Sequence, residues 1–554
     1  MIFRLRLLLS SVGLLTLVVL IQSCAFQNEV ADLIIHNAVI YTVDEQFSTA
    51  EAMAIKDGKI LEVGPERAIL NKYKAARNID VAKRFVYPGF IDAHCHFLGY
   101  GTNLLKADLI GSSSWDEVIE RVQKYAPTRE TEWIMGRGWN QEQWANNAFP
   151  NKAKLDSLFP NTPVYLSRID GHAAIANSTA LDLAGITSQS NVSGGSIGFE
   201  NGELTGLLVD NAMTLVEIII PSFTQEQKIS ALLKAQDNCF KVGLTTVDDA
   251  GLMKSDVDLM DSLQRAQQLK MRVYAMMSDD SSNFDYYLKH GIDTSSERLT
   301  IRSFKFYSDG ALGSRGACLL QAYDDAPSTT GFLLGTEDHF RMRAFECYKA
   351  GFQVNTHAIG DSANRVILGI YGEILQGVND HRWRIEHAQV VHKGDLDLFG
   401  QYNIIPSIQP VHATSDRKMA LLRLGRNRIQ RAYAYNELKK QTGLVALGTD
   451  FPVEDISPLA TFRAAVYRVD QSSMQEGAFL PENALTPKEA LMGMTLWAAI
   501  SNFEENKKGS LQSGKYADFV ILDKDILKLG AEGFSDLKVI ATYIAGEEVY
   551  RYKK

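Results

Sequence analysis

Short apolar runs of β-type residues alternate with longer stretches of helical periodicity through the middle of the chain. This alternation is typical of a (β/α) barrel, in which each strand is followed by a helix. Eight of the apolar runs end in polar or ionisable residues or fit the spacing between those that do. They predict barrel strands at residues 90–96, 243–248, 271–277, 301–307, 352–357, 383–387, 404–409 and 445–450. The expected fold class is therefore α/β, with an eight-stranded, TIM-like (β/α)8 barrel.

The two ends of the chain show a second pattern, in which apolar runs flank turn residues. Residues 31–42 and 52–63 predict strands with Asp57-Gly58 as a hairpin turn, and residues 517–522 and 538–550 repeat the pattern with Ala545-Gly546 as the turn. An isolated hairpin is only marginally stable. We therefore expect both chain ends to form one small β-sandwich domain together.

One stretch of the barrel region is too long for a single crossover helix. Residues from about 104 to 235 separate the first predicted strand from the second and contain a strand-like run at 163–168. We interpret this stretch as an insertion after strand 1 that covers the active site. The predicted organisation is a linker at 24–30, the small β domain at 31–84 and 506–554, and the barrel at 85–505.

The N-terminus has the form of an export signal. A short basic region at 1–6 precedes a largely apolar run at 7–21 that is too short for a comfortable membrane span. The run leads to Cys24 after a small residue, which resembles a bacterial lipobox and predicts a signal peptide at 1–23 with lipidation of Cys24. An ordinary secretory signal or a non-cleaved anchor is the alternative. We expect an exported cell-envelope lipoprotein that contacts the membrane only through its lipid, on the periplasmic side or at the outer membrane of a bacterium.

Composition narrows the class of partner. Of the 554 residues, 45% are hydrophobic and 22% charged, as in an ordinary globular enzyme. A net charge of -9 without a basic stripe argues against nucleic acid. The five cysteines have no zinc-ribbon or C-x-x-C spacing. A small-molecule substrate is the expected partner, and a homodimer is one expectation for the assembly.

Two histidines at the end of the first predicted strand suggest metal binding. His94 and His96 are spaced i, i+2, so both imidazoles point the same way on a strand and can chelate one divalent transition metal. Alone this pair is a weak signal, because histidines often make ordinary hydrogen bonds. Barrel chemistry sits at the carboxyl ends of strands, and a two-metal set of side chains lies there: His94, His96, Lys305, His357, His387 and Asp450.

Each of the later residues also has a purely structural interpretation. His357 could stand at a helix start, His387 could be a satisfied core residue, and Asp450 could cap a turn. Their convergence on five of the eight predicted strands favours the metal site.

The motifs around these residues resemble the amidohydrolase superfamily of metal-dependent hydrolases. The resemblance rests on residues 88–96, His357, 384–387, 448–450 and 485–522. Further segments at 133–144, 168–178, 305–310 and 357–361 resemble its YtcJ-like branch, of the amidohydrolase 3 type, which includes N-substituted formamide deformylases. The resemblance runs from about residue 31 to residue 554.

The resemblance implies a ligand set for one or two divalent metal ions, with zinc expected. His94, His96 and Asp450 would hold the first ion, and His357 and His387 the second. Lys305 would bridge both ions as a carbamate, which requires a neutral amine of the kind that burial beside cations favours. The alternative is a plain ammonium that pairs with Asp309, which would leave a single-metal site.

The chemistry implied is hydrolysis by a metal-bound hydroxide, with Asp450 passing a proton to the leaving nitrogen. His172 or His412 could donate to the oxyanion; alternatively, His172 anchors the insertion and His412 is a loop histidine. Arg137 and Trp139 could wall a substrate pocket, the alternative being insertion core, which we prefer for Trp144. Arg315 could meet a substrate carboxylate or a neighbouring aspartate.

The leading functional hypothesis is a hydrolase that cleaves a non-peptide C–N bond, in an amide or N-substituted formamide. A cyclic-amide hydrolase or ring deaminase would use the same metal site. From other classes of protein, a solute-binding lipoprotein with a retired metal site remains open, and so does an envelope scaffold. The complete ligand set favours an enzyme over both.

Overall fold

Eight parallel strands form the predicted barrel in the computed structural model, which describes residues 29–129, 131–471 and 473–553. Each strand pairs with the next along the chain. The strands are Phe90–Cys95, Leu244–Leu252, Arg272–Ser278, Leu299–Tyr307, Gln353–Ala358, Arg384–His387, Ile405–Ile408 and Ala446–Leu447. The eighth is shorter than its predicted range of 445–450, so Asp450 lies three residues beyond its end. The fold class predicted from the pattern is confirmed.

Backbone hydrogen bonds close the barrel between its first and last strands. The Asp450 amide donates to the His94 carbonyl, and the His96 amide donates to the Phe451 carbonyl, each at 2.8 Å. A Cβ at Gly448 would lie 2.6 Å from the His94 nitrogen, so this close approach requires glycine. The closure brings the His94–His96 segment beside Asp450.

Helices follow most of the strands. Several begin with side-chain caps: Thr224 and Gln227 form a capping box at the start of Gln225–Lys241. The helices are Glu66–Lys72, Phe97–Asn103, Trp115–Tyr125, Ala153–Leu158, Ser178–Leu183, Asn211–Glu217, Gln225–Lys241, Lys254–Arg265, Ser281–His290, Glu337–Ala350, Asp361–Leu375, Leu396–Gln401, Pro410–Ser415, Arg417–Arg428, Tyr435–Thr442, Pro458–Tyr467, Pro487–Gly493 and Leu496–Ser501.

The stretch between the first and second barrel strands folds around a sheet of its own. Its six strands are Ala107–Asp108, Ile134–Trp139, Val164–Arg168, Ala173–Ala176, Gly195–Glu200 and Glu203–Asp210. The strand predicted at 163–168 is present. Trp139 and Trp144 are buried in the hydrophobic core of this sheet.

The chain ends supply two further sheets. One contains Glu29–His36, Ala52–Lys56, Lys59–Gly64 and Tyr73–Asp80; the other contains Val39–Tyr41, Thr49–Ala50, Phe85–Pro88, Phe519–Leu522, Val539–Ile544 and Glu547–Arg551. Buried side chains from both sheets and from both chain ends form one hydrophobic cluster. The turns Asp57-Gly58 and Ala545-Gly546 have positive φ at all four residues, as tight hairpin turns require. The domain limits themselves stay a prediction.

The predicted signal peptide at 1–23 and the predicted lipidation site Cys24 lie outside the described residues, as does most of the predicted linker at 24–30. Among the helices that are described, none has the length and apolar character needed to cross a bilayer.

A buried ion pair joins the barrel to the sheet that both chain ends build. Arg272 starts the third barrel strand, and its Nε and Nη2 donate to the two oxygens of Asp518 at 2.6 and 3.0 Å, with both side chains almost fully buried. Removing one partner of such a pair leaves a buried unpaired charge. We predict that Asp518→Ala destabilises the fold by about 3–5 kcal/mol, measured by thermal or urea unfolding.

The exposed pair between Lys524 and Asp536 provides the control, since such pairs contribute about 0–1 kcal/mol. Asp536→Ala should therefore change the unfolding midpoint little. An equal loss of stability in the two variants would contradict a special role for the buried pair.

Candidate metal centre and substrate cavity

The carboxyl ends of the barrel strands open into a cavity of about 710 Å³. His96, Lys305, His357, His387 and Asp450 line it from the barrel. His172 reaches the cavity from the insertion, and His412 from the helix after the seventh strand. His94 is fully buried beside them, with its ring centroid 4.9 Å from that of His387. The structure therefore brings together all six predicted metal ligands and both predicted oxyanion donors.

Three of the predicted histidine ligands are anchored through Nδ1. The Nδ1 of His94 lies 2.5 Å from Glu386 Oε2, that of His96 lies 3.0 Å from the Ala250 carbonyl, and that of His387 lies 2.7 Å from Gln409 Oε1. An acceptor at Nδ1 fixes the tautomer in which Nε2 carries a lone pair. In this arrangement each ring presents Nε2 as a potential metal ligand.

Burial keeps the rings of His94, His357 and His387 uncharged, as metal binding requires. It lowers the pKa of His94 to about 4 and that of His387 well below its usual value. The pKa of His357 is also well below the ordinary value, because the ring is buried and lies among other histidines. Neutral imidazoles are available here at physiological pH.

Asp450 lies where the histidine nitrogens converge. Its Oδ1 is 3.3 Å from His96 Nε2 and 3.6 Å from His94 Nε2. This oxygen is buried and accepts no hydrogen bond from the described residues. Burial raises the pKa of Asp450, but the hydrogen bond with His412 and the closeness of the other histidines outweigh that effect and hold it well below its usual value. The buried carboxylate is therefore ionised and has an oxygen left to bind a cation.

The donor atoms fit a divalent metal. The ligand atoms of His94, His96 and Asp450 lie within 4.8 Å of one another, and so do those of His387, His412 and Asp450. Imidazole nitrogen and carboxylate oxygen are ligands of zinc and related ions. Asp450 belongs to both groups, which suits a centre for one ion or for two.

The second group differs from the predicted one, in which His357 and His387 hold the second ion together with the bridging Lys305. His412, predicted as an oxyanion donor, takes the place expected for His357. The Nε2 of His357 lies 3.5 Å from Asp309 Oδ1 and from the Gly310 carbonyl, while its ring remains 4.5 Å from that of His387. The Nε2 of His357 therefore faces the Asp309 loop, and Nδ1 is the ring nitrogen that remains as a potential metal ligand.

Lys305 is fully buried, with Nζ 3.2 Å from His94 Nε2 and 4.5 Å from the Tyr307 ring centroid. Burial lowers its pKa to about 8. The alternative pairing with Asp309 is wrong. The Asp309 carboxylate instead accepts backbone N–H groups of Ile359, Gly360 and Cys318.

The two other histidines of the cavity are held by carboxylates. His172 Nδ1 lies 2.6 Å from Asp210 Oδ1, and its ring is 5.3 Å from that of His357. Burial lowers the pKa of His172, but Asp210 outweighs this effect and raises it above the usual value. His172 is thus suited to donate a hydrogen bond from Nε2. His412 lies between Asp450 Oδ2 at 3.2 Å and Glu454 Oε1 at 3.1 Å.

A buried polar network below the centre was not predicted from the sequence. The guanidinium of Arg384 donates to Glu386 at 2.7 Å and to Asp248 at 3.0 Å, and Asn502 donates to Asp248 at 2.7 Å. Burial raises the pKa of Glu386, but Arg384 and His94 outweigh it and lower the value. A sequence signal existed, because Arg384 and Glu386 are spaced i, i+2 on a strand and so share one face.

Two of the residues predicted to bind substrate, Trp139 and Arg315, do not line the cavity. Trp139 is fully buried in the insertion core, where its Nε1 donates to the Leu166 carbonyl, so the prediction of substrate contact is wrong. Arg315 pairs with Asp325 at 2.8 Å and does not line the cavity, which matches the alternative interpretation. Arg137 donates to the Ile169 carbonyl behind the cavity wall, and its role stays a prediction.

The fold and the site together define a class, the barrel hydrolases that bind metal at the carboxyl ends of their strands. The profile of the Amidohydrolase family matches residues 77–550. The chain belongs to the amidohydrolase family and is a metal-dependent hydrolase of its YtcJ-like branch.

Relatives match over nearly the whole chain. Protein LONG AFTER FAR-RED 3 of Arabidopsis thaliana is 34% identical, over 94% of this chain and 92% of its own. The putative amidohydrolase YtcJ of Bacillus subtilis (strain 168) is 30% identical over 93% and 98%. The N-substituted formamide deformylase of Arthrobacter pascens is 26% identical over 95% and 99%. The crystal structure of an uncharacterized metal-dependent hydrolase from Pyrococcus horikoshii OT3 is 26% identical, with a TM-score of 0.74 over 90% and 99%.

The anchoring of His387 can be tested without touching a metal ligand. Gln409→Met keeps the side-chain length but removes the acceptor for Nδ1 of His387. Loss of such an anchor typically weakens metal binding by about 10–100-fold. We predict a loss of this size, measured by competition of the purified protein with a chelator.

Gln389→Met is the matched control, because Gln389 lies in the same cavity but donates to Tyr433. It should retain the metal affinity of the parent protein. Unchanged affinity in the Gln409 variant would show that the anchor does not tune the metal.

Proposed function

We propose that the protein hydrolyses a non-peptide C–N bond, of an amide or N-substituted formamide type, in a small organic molecule. The observation that carries the proposal is the position of Asp450, with one unpaired oxygen beside His94 and His96 and the other beside His412. The name of the Arthrobacter pascens relative supports a formamide substrate.

The residues fit one or two divalent ions, and we propose zinc. His94, His96 and Asp450 would hold one ion, and His387 would join the second with His412 or His357. When bound, such ions lower the pKa of a water and polarise a carbonyl. We also propose that Lys305 carries a carbamate, because an uncompensated ammonium 3.2 Å from His94 would repel a cation.

Asp450 is placed to move the proton. Its carboxylate, kept ionised by the neighbouring histidines, can accept a proton from the attacking water at one oxygen. It can then pass the proton to the leaving nitrogen, which needs one to depart as an amine. The bond that breaks is C–N and the bond that forms is C–O, so water supplies both the hydroxyl and the proton.

His172 is placed to stabilise the developing oxyanion. Its Nδ1 donates to the Asp210 carboxylate, which also raises the pKa of the ring, so the protonated imidazole keeps an Nε2 N–H for the substrate oxygen. Glycine at 310 and 316 permits this arrangement, because a Cβ at either position would collide with the Asp210 carboxylate. Hydrolysis of a cyclic amide or deamination of a ring would need the same groups. Assays with different substrates are therefore needed to distinguish these reactions from cleavage of a formamide or an open-chain amide.

Replacement of Asp450 tests the proton transfer. Asp450→Asn keeps the shape of the side chain and removes the base, so we expect turnover to fall by about 10²–10⁴-fold while the fold and much of the metal remain. Asp397→Asn, on an exposed helix outside the cavity, is the control and should keep full turnover.

The assay uses metal-loaded protein with N-formyl amines, N-acyl amines, cyclic amides and ring amines as separate substrates. Release of formate or carboxylate with an amine supports the proposal, ring opening or ammonia release supports an alternative, and full turnover by the Asp450 variant would refute the assigned proton transfer.

Lys305 decides how many ions are bound. We predict about two equivalents of metal per chain in the parent protein and about one in Lys305→Met, because the variant lacks a carboxylated bridge. Metal analysis after dialysis gives the count, and circular dichroism confirms that the variant is folded. Equal metal content in the two proteins would contradict the bridge.

A further inference from the structure

A glutamine in the cavity wall offers a substrate one hydrogen-bond acceptor. Gln389 lies two residues after His387 and lines the cavity, although the residue is only 4% exposed. Its Nε2 donates to the Tyr433 hydroxyl at 2.9 Å, while its Oε1 accepts no hydrogen bond from any described residue. One atom of the side-chain amide is therefore occupied, and the other is available to a molecule in the cavity.

The groups behind Gln389 fix the orientation of its amide. The Tyr433 hydroxyl donates its single hydrogen to Asp416 Oδ2 at 3.0 Å, so the hydroxyl oxygen can only accept from Gln389. An amide turned by 180° would place Oε1 against this oxygen, and no hydrogen would lie between the two acceptors. The amide therefore keeps Nε2 toward Tyr433, and Oε1 remains the atom that a ligand can reach.

The backbone holds the same residue in place. The Tyr433 amide donates to the Gln389 carbonyl at 2.6 Å, and the amide of the next residue, Val390, donates to the Ile359 carbonyl at 2.9 Å. Gln389 and Tyr433 are both buried. An acceptor held in this way loses little conformational entropy when it binds a donor. The same acceptor disfavours any ligand that displaces water from it without replacing the hydrogen bond.

The position of Gln389 beside the candidate metal centre indicates which donor it meets. The ring of His387 lies 4.5 Å from that of His357, which in turn lies 5.3 Å from the ring of His172. His172 is placed to donate to the substrate carbonyl oxygen. The hydrogen-bond donor closest to that oxygen in an amide is the N–H of its own nitrogen. A donor and an acceptor beside one centre thus match the two polar groups of an amide that carries an N–H.

We propose that Gln389 accepts a hydrogen bond from the N–H of the scissile amide or formamide, and that the cavity thereby selects N-monosubstituted substrates. This inference rests on the proposed function, since it names the substrate class of the same site. An N,N-disubstituted amide has no hydrogen to donate and leaves Oε1 unpaired. Sites that hydrogen-bond an N–H of the substrate reject analogues that lack it.

Two isomeric probes test the contact. N-heptylformamide and N-hexyl-N-methylformamide contain the same atoms, and only the first has an N–H. Isothermal titration of zinc-loaded protein gives their affinities, and release of amine gives kcat/KM for a probe that is hydrolysed. We expect the probe with the N–H to be preferred by at least about tenfold in affinity or in kcat/KM.

Variants assign the preference to Gln389. Gln389→Met keeps the side-chain length and removes the acceptor, so the ratio between the two probes should fall by about fivefold or more, while the metal affinity stays that of the parent protein. Tyr433→Phe leaves Gln389 in place but frees its amide to turn, which should lower the ratio as well. Gln143→Met makes the same change at an exposed residue of the cavity and should leave the ratio unchanged. Circular dichroism and metal analysis check that each variant is folded and loaded.

The outcomes separate this inference from the proposed function. Tighter binding of the N–H probe, lowered in both variants, without release of amine would sustain the contact with Gln389 and refute formamide cleavage. Hydrolysis of both probes with equal preference, or a ratio that either variant leaves unchanged, would overturn the contact. Failure of both probes to bind would overturn it too.

Discussion

The site depends on acceptors that hold the Nδ1 atoms of its histidines. For His94 the acceptor is Glu386, which is itself held by Arg384, and this arginine also bonds Asp248. All of these groups are buried. Buried charges are costly unless they are paired and hydrogen-bonded, so the network is stable only when complete. The complete network holds the His94 ring in one orientation, with Nε2 pointing toward the candidate metal centre.

The same centre draws on three parts of the fold. Closure of the barrel brings Asp450 to His94 and His96 through backbone hydrogen bonds that need Gly448. The insertion adds His172 and one wall of the cavity. Arg423 fastens that wall: its buried guanidinium bonds Glu142 of the insertion, Asp325, and the Gly313 carbonyl at 3.0 Å. Barrel and insertion thus present one continuous surface to a substrate.

Much of this arrangement could be predicted because it is encoded in local patterns. Strand periodicity, the polar residues at many strand ends and the spacing between those strands located all eight barrel strands and the six predicted ligands. Contacts between distant segments could not be predicted in this way. Trp139 is predicted to wall a pocket because it shares one segment of the insertion with Arg137 and Trp144, but burial in the insertion sheet decides its place. Arg315 pairs with Asp325 and not with a substrate. His412 reaches the centre through Asp450, a contact that depends on how the helix after the seventh strand meets the segment after the eighth.

The central claim is that the histidine nitrogens and Asp450 converge on a metal. Anomalous X-ray diffraction from crystals of the zinc-loaded protein, measured on both sides of the zinc absorption edge, tests it most directly. We predict an anomalous peak within coordination distance of Nε2 of His94 and His96 and of the unpaired oxygen of Asp450. No peak at that position, or zinc bound only at a site remote from these three side chains, would contradict the account.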